Sequence, residues 1–294
     1  MKLLYFCSTR KIPRVVCAAA AALTVGTLVG VFLFLLFPTM QFFTAVSPRE
    51  FFLGTEWNPT SYHKASWGVL SLVSGTLFIT ILSLAIVVPF GLAIAVYLSQ
   101  IAQTRVREIL KPLLELIASI PSVILGLLGL LFVAPMVAAI FHLSNGLTAL
   151  TAALLVALAT LPTVASISED ALSSVPKSLR EASLALGATE WITIRSIIIP
   201  AARHSLVAAT MLGLGRIIGE TMIVLMVAGN VRAFPMSFLD PVRPMTASIA
   251  IEIKEVVVGS LHWQGLFAIG FSLLAVTFFV NLLADTFVHR ARRQ

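Results

Sequence analysis

Charged residues and cysteines are scarce in this sequence. Only 11% of its 294 residues are charged, whereas 59% are hydrophobic and the mean hydropathy is +1.00. A water-soluble domain of this length needs a more polar surface, so the composition indicates an integral membrane protein. The two cysteines, Cys7 and Cys17, flank the start of the first apolar segment. On a helix they would lie about 15 Å apart, which excludes a disulfide between them.

The sequence also lacks the motifs of several enzyme classes. It has no G-x-x-x-x-G-K-S/T loop, so any ATP hydrolysis has to come from another subunit. None of the five histidines stands at metal-ligand spacing from a cysteine or a carboxylate. No nucleophile with an accompanying base occurs in the apolar segments. An enzyme is therefore the least expected class, and we expect no catalytic residues, no metal and no cofactor.

Six apolar segments are long enough to cross a membrane. They cover residues 15–37, 69–98, 116–141, 147–167, 206–228 and 266–288. Each can span a hydrocarbon core of about 30 Å as a helix, the form that lipid demands because it offers the backbone no hydrogen-bond partners. The first segment is too long for the apolar part of a signal peptide, so we expect an uncleaved helix. The fold class predicted is all-α, with six transmembrane helices.

The basic residues between these segments predict the orientation. With the N-terminus in the cytoplasm, fourteen of the twenty lysines and arginines lie inside and five lie outside. The inside set is Lys2, Arg10, Lys11, Arg14, Arg105, Arg107, Lys111, Lys177, Arg180, Arg195, Arg203, Arg290, Arg292 and Arg293. This asymmetry predicts cytoplasmic termini and accounts for most of the net charge of +7, so nucleic acid is not an expected partner.

Two connections between the segments have features of their own. Residues 99–113 mix apolar and basic side chains, which predicts an interfacial helix inside the cell. Residues 230–263, outside, contain MTASIAIEIKEVVV, whose apolar part is too short to span a membrane. It is either a helix that lies on, or dips into, the outer mouth, or part of a packed cap. Glu115, Glu169 and Asp170 fall near inside helix ends, where solvated capping is the expected role.

The inside connection at residues 173–203 carries helix start and stop signals. Ser178 and Glu181 have the spacing of a capping box, which predicts that a helix begins there. Gly187 is a position where this helix can end in the left-handed conformation, and Thr189 can cap a second helix. A surface helix-turn-helix and a docking site for another protein are equally compatible with this spacing.

The same connection resembles the signature of the membrane subunits of bacterial ABC importers. That signature is E-A-A, three residues, G, nine residues, I-x-L-P, and this chain matches it at residues 181–183, 187 and 197–200. Ser183 replaces an alanine and Ile199 a leucine. The resemblance implies a coupling helix that fits a cleft of a separate ATPase, with Glu181, Ala182, Ser183 and Gly187 transmitting the ATPase cycle.

Further segments resemble the phosphate-specific importer permeases of the PstC type. They are GLGRIIGETMIVLMVAGN, IPSVILGLLGLLFVAP and MTASIAIEI, within a likeness that covers residues 65–288. The resemblance implies a type I (MetI-like) permease domain at 65–290, with a core of five helices, preceded by residues 1–64 with the first helix and an outer loop. It also implies a bacterial inner-membrane location and these partners: phosphate, a PstA-like second permease, two PstB-like ATPase copies and a PstS-like periplasmic or extracellular binding protein.

Arg216 and Glu220 are two charges within the fifth apolar segment. Charged groups at membrane depth are costly and face a partner or a pathway, so we predict that both line the substrate pathway. On one helix they would lie a turn apart and near enough to pair. An arginine fork fits phosphate oxygens, and Glu220 would hold Arg216 when substrate is absent. The alternative is a structural salt bridge that locks the fifth and sixth spans together.

Two other functions stay open at this level. An arginine fork accepts sulfate, molybdate or tungstate as well as phosphate, so an importer of another oxyanion of the same architecture is the first alternative. A membrane sensor or scaffold that uses residues 173–203 to hold a cytoplasmic partner, without moving solute, is the second.

Overall fold

The computed structural model describes residues 11–61 and 65–291, with side chains at 14–61 and 65–282. The basic residues Lys2, Arg10, Lys64, Arg292 and Arg293, and Cys7, lie outside the described residues. Within them the helices are α1 Lys11–Ala45, α2 Pro48–Leu53, α3 Leu70–Val96, α4 Thr104–Ala118, α5 Ser122–Leu128, α6 Ala134–Phe141, α7 Ala149–Ser173, α8 Lys177–Ala185, α9 Glu190–Thr193, α10 Ile199–Ile218, α11 Met222–Val227, α12 Met245–Glu252 and α13 Leu261–Ala291.

Short irregular elements complete the described fold. π-helical turns occupy Tyr97–Ile101 after α3, Gly129–Val133 between α5 and α6, and Ile194–Ile198 between α9 and α10. Strands β1 (Trp57–Asn58) and β2 (Ser66–Trp67) form an antiparallel pair in which Trp57 faces Trp67. π-helical turns are rare and widen a helix by one residue, so each marks a local change of register along a span.

Six helical stretches among the described residues are long and apolar enough to cross a membrane, which confirms the predicted number of spans. They are Arg14–Ala45, Leu70–Ile101, Ser122–Phe141, Ala149–Ser173, Glu190–Ile218 and Leu261–Leu282. The third starts six residues later than predicted, because α4 is a separate helix and Pro121 begins the next one. A separate helix, α4 (Thr104–Ala118), is found where an interfacial helix is predicted at 99–113, but it runs beside the second half of α7, from Arg107 near Ser173 to Ala118 near Thr163, instead of lying flat at the end of the bundle.

The fifth span differs most from the prediction. The sequence predicts one helix over 206–228, whereas α10 ends at Ile218 and α11 starts at Met222. Gly219 ends α10, and the Glu220 carboxylate accepts hydrogen bonds from the first backbone N–H groups of the next helix. A hydropathy profile does not detect this break, because the residues after Thr221, from Met222 to Ala228, are all apolar.

Helix α7 lies at the centre of the bundle. It packs against α3 and α10, and the buried part of its surface consists mainly of alanine, threonine and serine. Val164 stands between two glycines: a Cβ on Gly91 of α3 would lie 3.1 Å from its Cγ1, and a Cβ on Gly213 of α10 would lie 2.4 Å from its Cγ2. Small residues let the helix backbones approach closely, which is how helices associate within lipid.

The first span, α1, packs along the last one, α13. Phe32 contacts Phe271 at a ring-centroid distance of 5.5 Å, and Phe34 contacts Phe267 at 5.3 Å. Most of its other apolar side chains are exposed. The helix is thus added to the side of the bundle, as the sequence predicts from its separate position in the chain.

The end of the bundle that carries residues 46–69 and 229–260 is closed by a packed cap. Phe42, Phe51, Trp57 and Trp67 are buried together there. Helix α12 lies beneath these aromatic side chains and contacts α3, α11 and α13. Five of its eight residues are buried, so it dips into the bundle rather than lying on its surface.

Glu252, the last residue of α12, ties this cap together. Its Oε2 accepts hydrogen bonds from Trp57 Nε1 at 3.0 Å and from His262 Nε2 at 2.8 Å. Its Oε1 lies 3.0 Å from Arg232 Nη2 and 3.1 Å from Arg243 Nη2. A buried carboxylate with four donors is fully satisfied, and it joins the strand pair, the loop before α12 and the start of α13.

Candidate translocation and coupling sites

Arg216 lies in the last turn of α10 and is exposed on the surface of the chain. Its Nη1 donates a hydrogen bond of 2.6 Å to Thr163 Oγ1 on α7. Thr163 follows Ala149 by fourteen residues and precedes Ser173 by ten, which places it about 21 Å and 15 Å from the two ends of that span. The guanidinium therefore lies near mid-depth and faces away from the chain's own core, where lipid is a poor neighbour for it.

Glu220 does not pair with Arg216, contrary to the prediction that one helix brings them together. Its Oε1 accepts from the backbone N–H groups of Thr221, Met222 and Ile223 at 3.1, 3.1 and 3.3 Å. The Thr246 hydroxyl donates to its backbone carbonyl at 2.9 Å. The carboxylate thus satisfies backbone groups that the break in the fifth span leaves without helical partners.

A recess of about 230 Å³ opens beside Thr163, between α4 and α7. Polar groups in its lining come from Glu115, Thr163 and Ser166, among apolar neighbours. Because Thr163 also binds Arg216, the recess adjoins the arginine on the side of the bundle that carries α4. The sequence predicts only a solvated capping role for Glu115, whereas the structure places it in this wall.

The predicted coupling helix is present as α8, but its start differs from the prediction. Pro176 precedes its first residue, and neither Ser178 nor Glu181 makes a capping hydrogen bond. Pro176 is the N-cap residue, so the helix begins at Lys177. A capping box requires its serine at the N-cap, outside the helix, whereas Ser178 lies inside it. The predicted capping box is therefore wrong.

The end of α8 agrees with the prediction. Gly187 has φ +84°, and its N–H donates to Leu184 O at 2.9 Å, while Ala188 N–H donates to Ser183 O at 3.2 Å. These two bonds are those of a Schellman motif, which glycine allows without strain. Thr189 then caps α9 by accepting from Ile192 N–H at 3.3 Å.

The four predicted coupling residues lie on α8 and the turn that follows it. Glu181, Ala182 and Gly187 are exposed, while Ser183 is half-buried and its hydroxyl lies 2.8 Å from the buried Thr193 Oγ1. The serine that replaces an alanine of the signature thus links α8 to α9. Large apolar side chains are exposed beside it: Leu179, Leu184, Leu186, Trp191 and Ile192. An exposed apolar patch of this kind is typical of a surface that another protein or the membrane covers.

A buried carboxylate behind α8 was missed by the sequence reasoning. Glu169 is fully buried, whereas the sequence predicts a solvated cap. It forms salt bridges with Arg107 and, at 2.7 Å, with Lys111, and it accepts from Ser173 Oγ at 2.9 Å. Lys111 also binds Asp170 at 2.9 Å. The hydrogen bonds to Glu169 and Asp170 raise the pKa of Lys111 above 10.5 despite partial burial.

This cluster holds α4 against the last turns of α7. Helix α7 ends at Ser173, and α8 begins four residues later, at Lys177. One signal in the sequence points to it: Arg107 and Lys111 are four residues apart, as are Glu169 and Ser173, so each pair lies on one helix face. Nothing in the sequence indicates that the two faces meet, because the contact joins residues about sixty positions apart.

Comparison with known proteins relates most of the chain to transport permeases. The family described as "Binding-protein-dependent transport system inner membrane component" matches residues 87–293. The probable ABC transporter permease protein YqgH of Bacillus subtilis is 38% identical over 272 residues, which cover 92% of this chain and 88% of that protein. The phosphate transport system permease protein PstC of Mesorhizobium japonicum is 33% identical over 287 residues, covering 90% and 86%.

Solved structures share the fold. The inward-facing MetNI methionine ABC transporter aligns with a TM-score of 0.56 at 21% identity, over 76% of this chain and 94% of that one. A bacterial alginate ABC transporter in complex with an alginate pentasaccharide-bound periplasmic protein aligns with a TM-score of 0.61 at 16% identity, over 93% and 94%. Together with the family match and the PstC relatives, these findings show that the chain belongs to the binding-protein-dependent transport system inner membrane components, as a multi-pass permease subunit of an ABC importer.

Proposed function

We propose that the chain forms one half of the translocation pathway of an ATP-driven importer of inorganic phosphate. The observation that carries this proposal is the exposed guanidinium of Arg216 at mid-depth, held in place by Thr163. A guanidinium presents two parallel N–H donors that match the oxygens of a phosphate dianion. Several relatives of similar length are named as phosphate transport permeases, which supports phosphate as the anion.

Exposure of Arg216 supports a second permease subunit. Lipid against this side chain would cost several kcal/mol, roughly 3 even on lenient insertion scales, so another protein surface has to cover it. A PstA-like permease is the proposed partner, and the pathway runs along the seam between the two chains. The recess beside Thr163 supplies hydroxyl groups on the route from Arg216 towards α4.

Glu220 has an indirect role in this pathway. Its carboxylate holds the break between α10 and α11, and the break lets α10 end two residues after Arg216. The side chain therefore shapes the backbone that presents the arginine, instead of neutralising the arginine between transport cycles.

In this proposal, the end of the bundle that carries α8 couples transport to ATP hydrolysis. Two PstB-like ATPase copies dock at the end that carries α8, one on Glu181, Ala182, Ser183 and Gly187 of this chain and one on the partner permease. The charge asymmetry supports a cytoplasmic position for this end and for both termini. A PstS-like binding protein delivers phosphate at the other end, above the cap. Residues 65–290 form the permease domain, and residues 1–64 add the first helix and an outer loop.

Uptake of labelled phosphate tests the proposal directly. In cells that depend on this transporter, Arg216→Gln should lower uptake by about tenfold or more, because one charge-assisted contact to the anion is lost. Arg203→Gln is the matched control, since Arg203 is an exposed arginine on the same helix near its start. Co-purification of the subunits must be unchanged in both variants. Wild-type uptake by an assembled Arg216→Gln transporter would refute the proposed pathway.

Competition identifies the anion. A guanidinium accepts any tetrahedral oxyanion, so sulfate, molybdate and tungstate should each be added in excess over labelled phosphate. Uptake that persists supports phosphate as the substrate. Strong inhibition by one of the other anions would assign the transporter to that anion and leave the pathway assignment of Arg216 intact.

A further inference from the structure

A polar cavity lies behind the coupling helix, away from the proposed pathway. Its volume is about 140 Å³, several times the roughly 30 Å³ that one water molecule occupies in the liquid. The polar groups in its lining come from Ser99, Gln100, Arg107, Ser173, Lys177 and Arg180. Ser173 ends α7, ten residues and about 15 Å of helix beyond Thr163. The two cavities are therefore at different depths.

The lining of this cavity has charge of one sign. Arg107, Lys177 and Arg180 contribute three cations, and no acidic side chain lines it. Arg107 shares its charge with the buried Glu169 and donates to Ser173 Oγ at 3.3 Å, while Arg180 lies 3.3 Å from the exposed Glu190. Among the described residues, Lys177 has no carboxylate within salt-bridge distance. One cation is thus uncompensated and the other two keep donors available.

Backbone groups and hydroxyls add to this charge. Lys177 is the first residue of α8, and no side chain caps the N-terminus of this helix. The free backbone N–H groups of the first turn, and the partial positive charge of the helix end, therefore lie beside the cavity that Lys177 and Arg180 line. Ser99 and Ser173 supply hydroxyls and Gln100 an amide. This donor set consists of the groups that proteins use to hold phosphate oxygens. Leu172, Val175, Pro176 and Ile198 form the apolar part of the lining.

We propose that this cavity binds a phosphate group behind the coupling helix, supplied either by the headgroup of an anionic phospholipid or by free inorganic phosphate. Helix α4, which contributes Arg107, has no buried residue, and its basic side chains Arg105, Arg107 and Lys111 lie at the end that meets the last turns of α7, where anionic headgroups are within reach. The other walls are the π-helical turn at Tyr97–Ile101, Ile198 of the π-helical turn before α10, and the start of α8. An occupant would therefore contact both α4 and the coupling helix and hold one against the other.

The binding test uses the full-length chain in a neutral detergent, with Arg216→Gln in every sample so that the proposed pathway does not contribute. Lys177→Gln removes the uncompensated cation, and Arg105→Gln, an exposed arginine of α4 outside the lining, is the matched control. One arm titrates inorganic phosphate against sodium chloride of equal ionic strength and measures the thermal unfolding midpoint. The other arm counts phosphatidylglycerol and phosphatidylcholine molecules retained in native mass spectra.

Loss of one hydrogen bond to a charged group should weaken binding by about tenfold in Lys177→Gln, with no change in Arg105→Gln. A saturable rise of the unfolding midpoint with phosphate, weakened in this way, supports a site for the free anion. Retention of phosphatidylglycerol over phosphatidylcholine, weakened in the same way, supports a headgroup site. The proposal is overturned if neither arm shows binding, or if both variants lose it equally.

Discussion

Replacing Glu252 by glutamine should destabilise the cap at the end of the bundle opposite α8. The carboxylate accepts from Trp57, His262, Arg232 and Arg243, and a glutamine has one acceptor oxygen for these four donors. Arg243 is only 6% exposed, and its Nε already lacks a partner within the described structure. Breaking a buried ion pair in this way costs about 3–5 kcal/mol, because an uncompensated charge stays behind. That corresponds to a fall of roughly 10 °C in the thermal unfolding midpoint.

The same carboxylate predicts a dependence on pH. Burial favours the neutral acid, but the hydrogen bonds from His262 and Trp57 and the charges of Arg243 and Arg232 outweigh burial and hold the pKa of Glu252 below 4.5. A group whose pKa is lowered by folding stabilises the fold above its unfolded pKa, and this contribution disappears as the pH falls through its folded pKa. The difference between wild type and Glu252→Gln should therefore be constant near neutral pH and shrink below pH 4.5.

Thermal unfolding of the purified chain in detergent, measured from neutral to acid pH, provides the assay. Glu255→Gln is the control, because Glu255 is an exposed carboxylate three residues further along the same segment. If Glu252→Gln lowers the midpoint no more than Glu255→Gln does, the buried cluster does not stabilise the cap and the reasoning fails.

Two further substitutions probe the coupling end. Glu169→Gln removes the carboxylate that Arg107 and Lys111 share and should lower the free energy of unfolding by about 1–3 kcal/mol. This is less than for a fully buried pair, because both bases are about one-third exposed. Glu108→Gln, on the exposed side of α4, should leave the unfolding midpoint unchanged, and equal midpoints for the two variants would contradict the role of Glu169. Gly187→Ala places a side chain at φ +84°, which costs roughly 1 kcal/mol. In the assembled transporter this change should reduce phosphate-stimulated ATP hydrolysis, and unchanged stimulation would show that the turn after α8 is not needed in this geometry.

Much of the fold could be predicted from composition and turn signals. The six spans follow from the lengths of the apolar segments, because lipid admits few alternatives to helices. The end of α8 follows from Gly187, since glycine is the residue that accepts a left-handed φ without strain. For MTASIAIEI the sequence leaves open a helix at the outer mouth and a packed cap, and the structure shows a helix that is part of the cap. Its burial depends on contacts with three distant helices that no local pattern reveals.

The errors arose where a charged side chain has two possible partners. Arg216 and Glu220 have the spacing of a helical ion pair, but the pair exists only if the helix continues through Gly219. Glu220 instead bonds to the backbone, a choice that residue spacing does not determine. Glu169 was assigned to solvent because its partners lie about sixty residues away on α4. Pairing of charges between distant helices depends on packing, which hydropathy and spacing leave undetermined.

Val164 shows how tightly three spans constrain one another. Each of its two methyl groups occupies the space that a side chain on Gly91 or Gly213 would need. A larger residue at either glycine would therefore push this valine towards the opposite helix, so damage on one side is passed to the other. The effects of substitutions at these three positions should therefore be coupled: a shorter side chain at 164 makes room for a methyl group at either glycine. Substitutions that look mild in a sequence would be tolerated here only in compensating combinations.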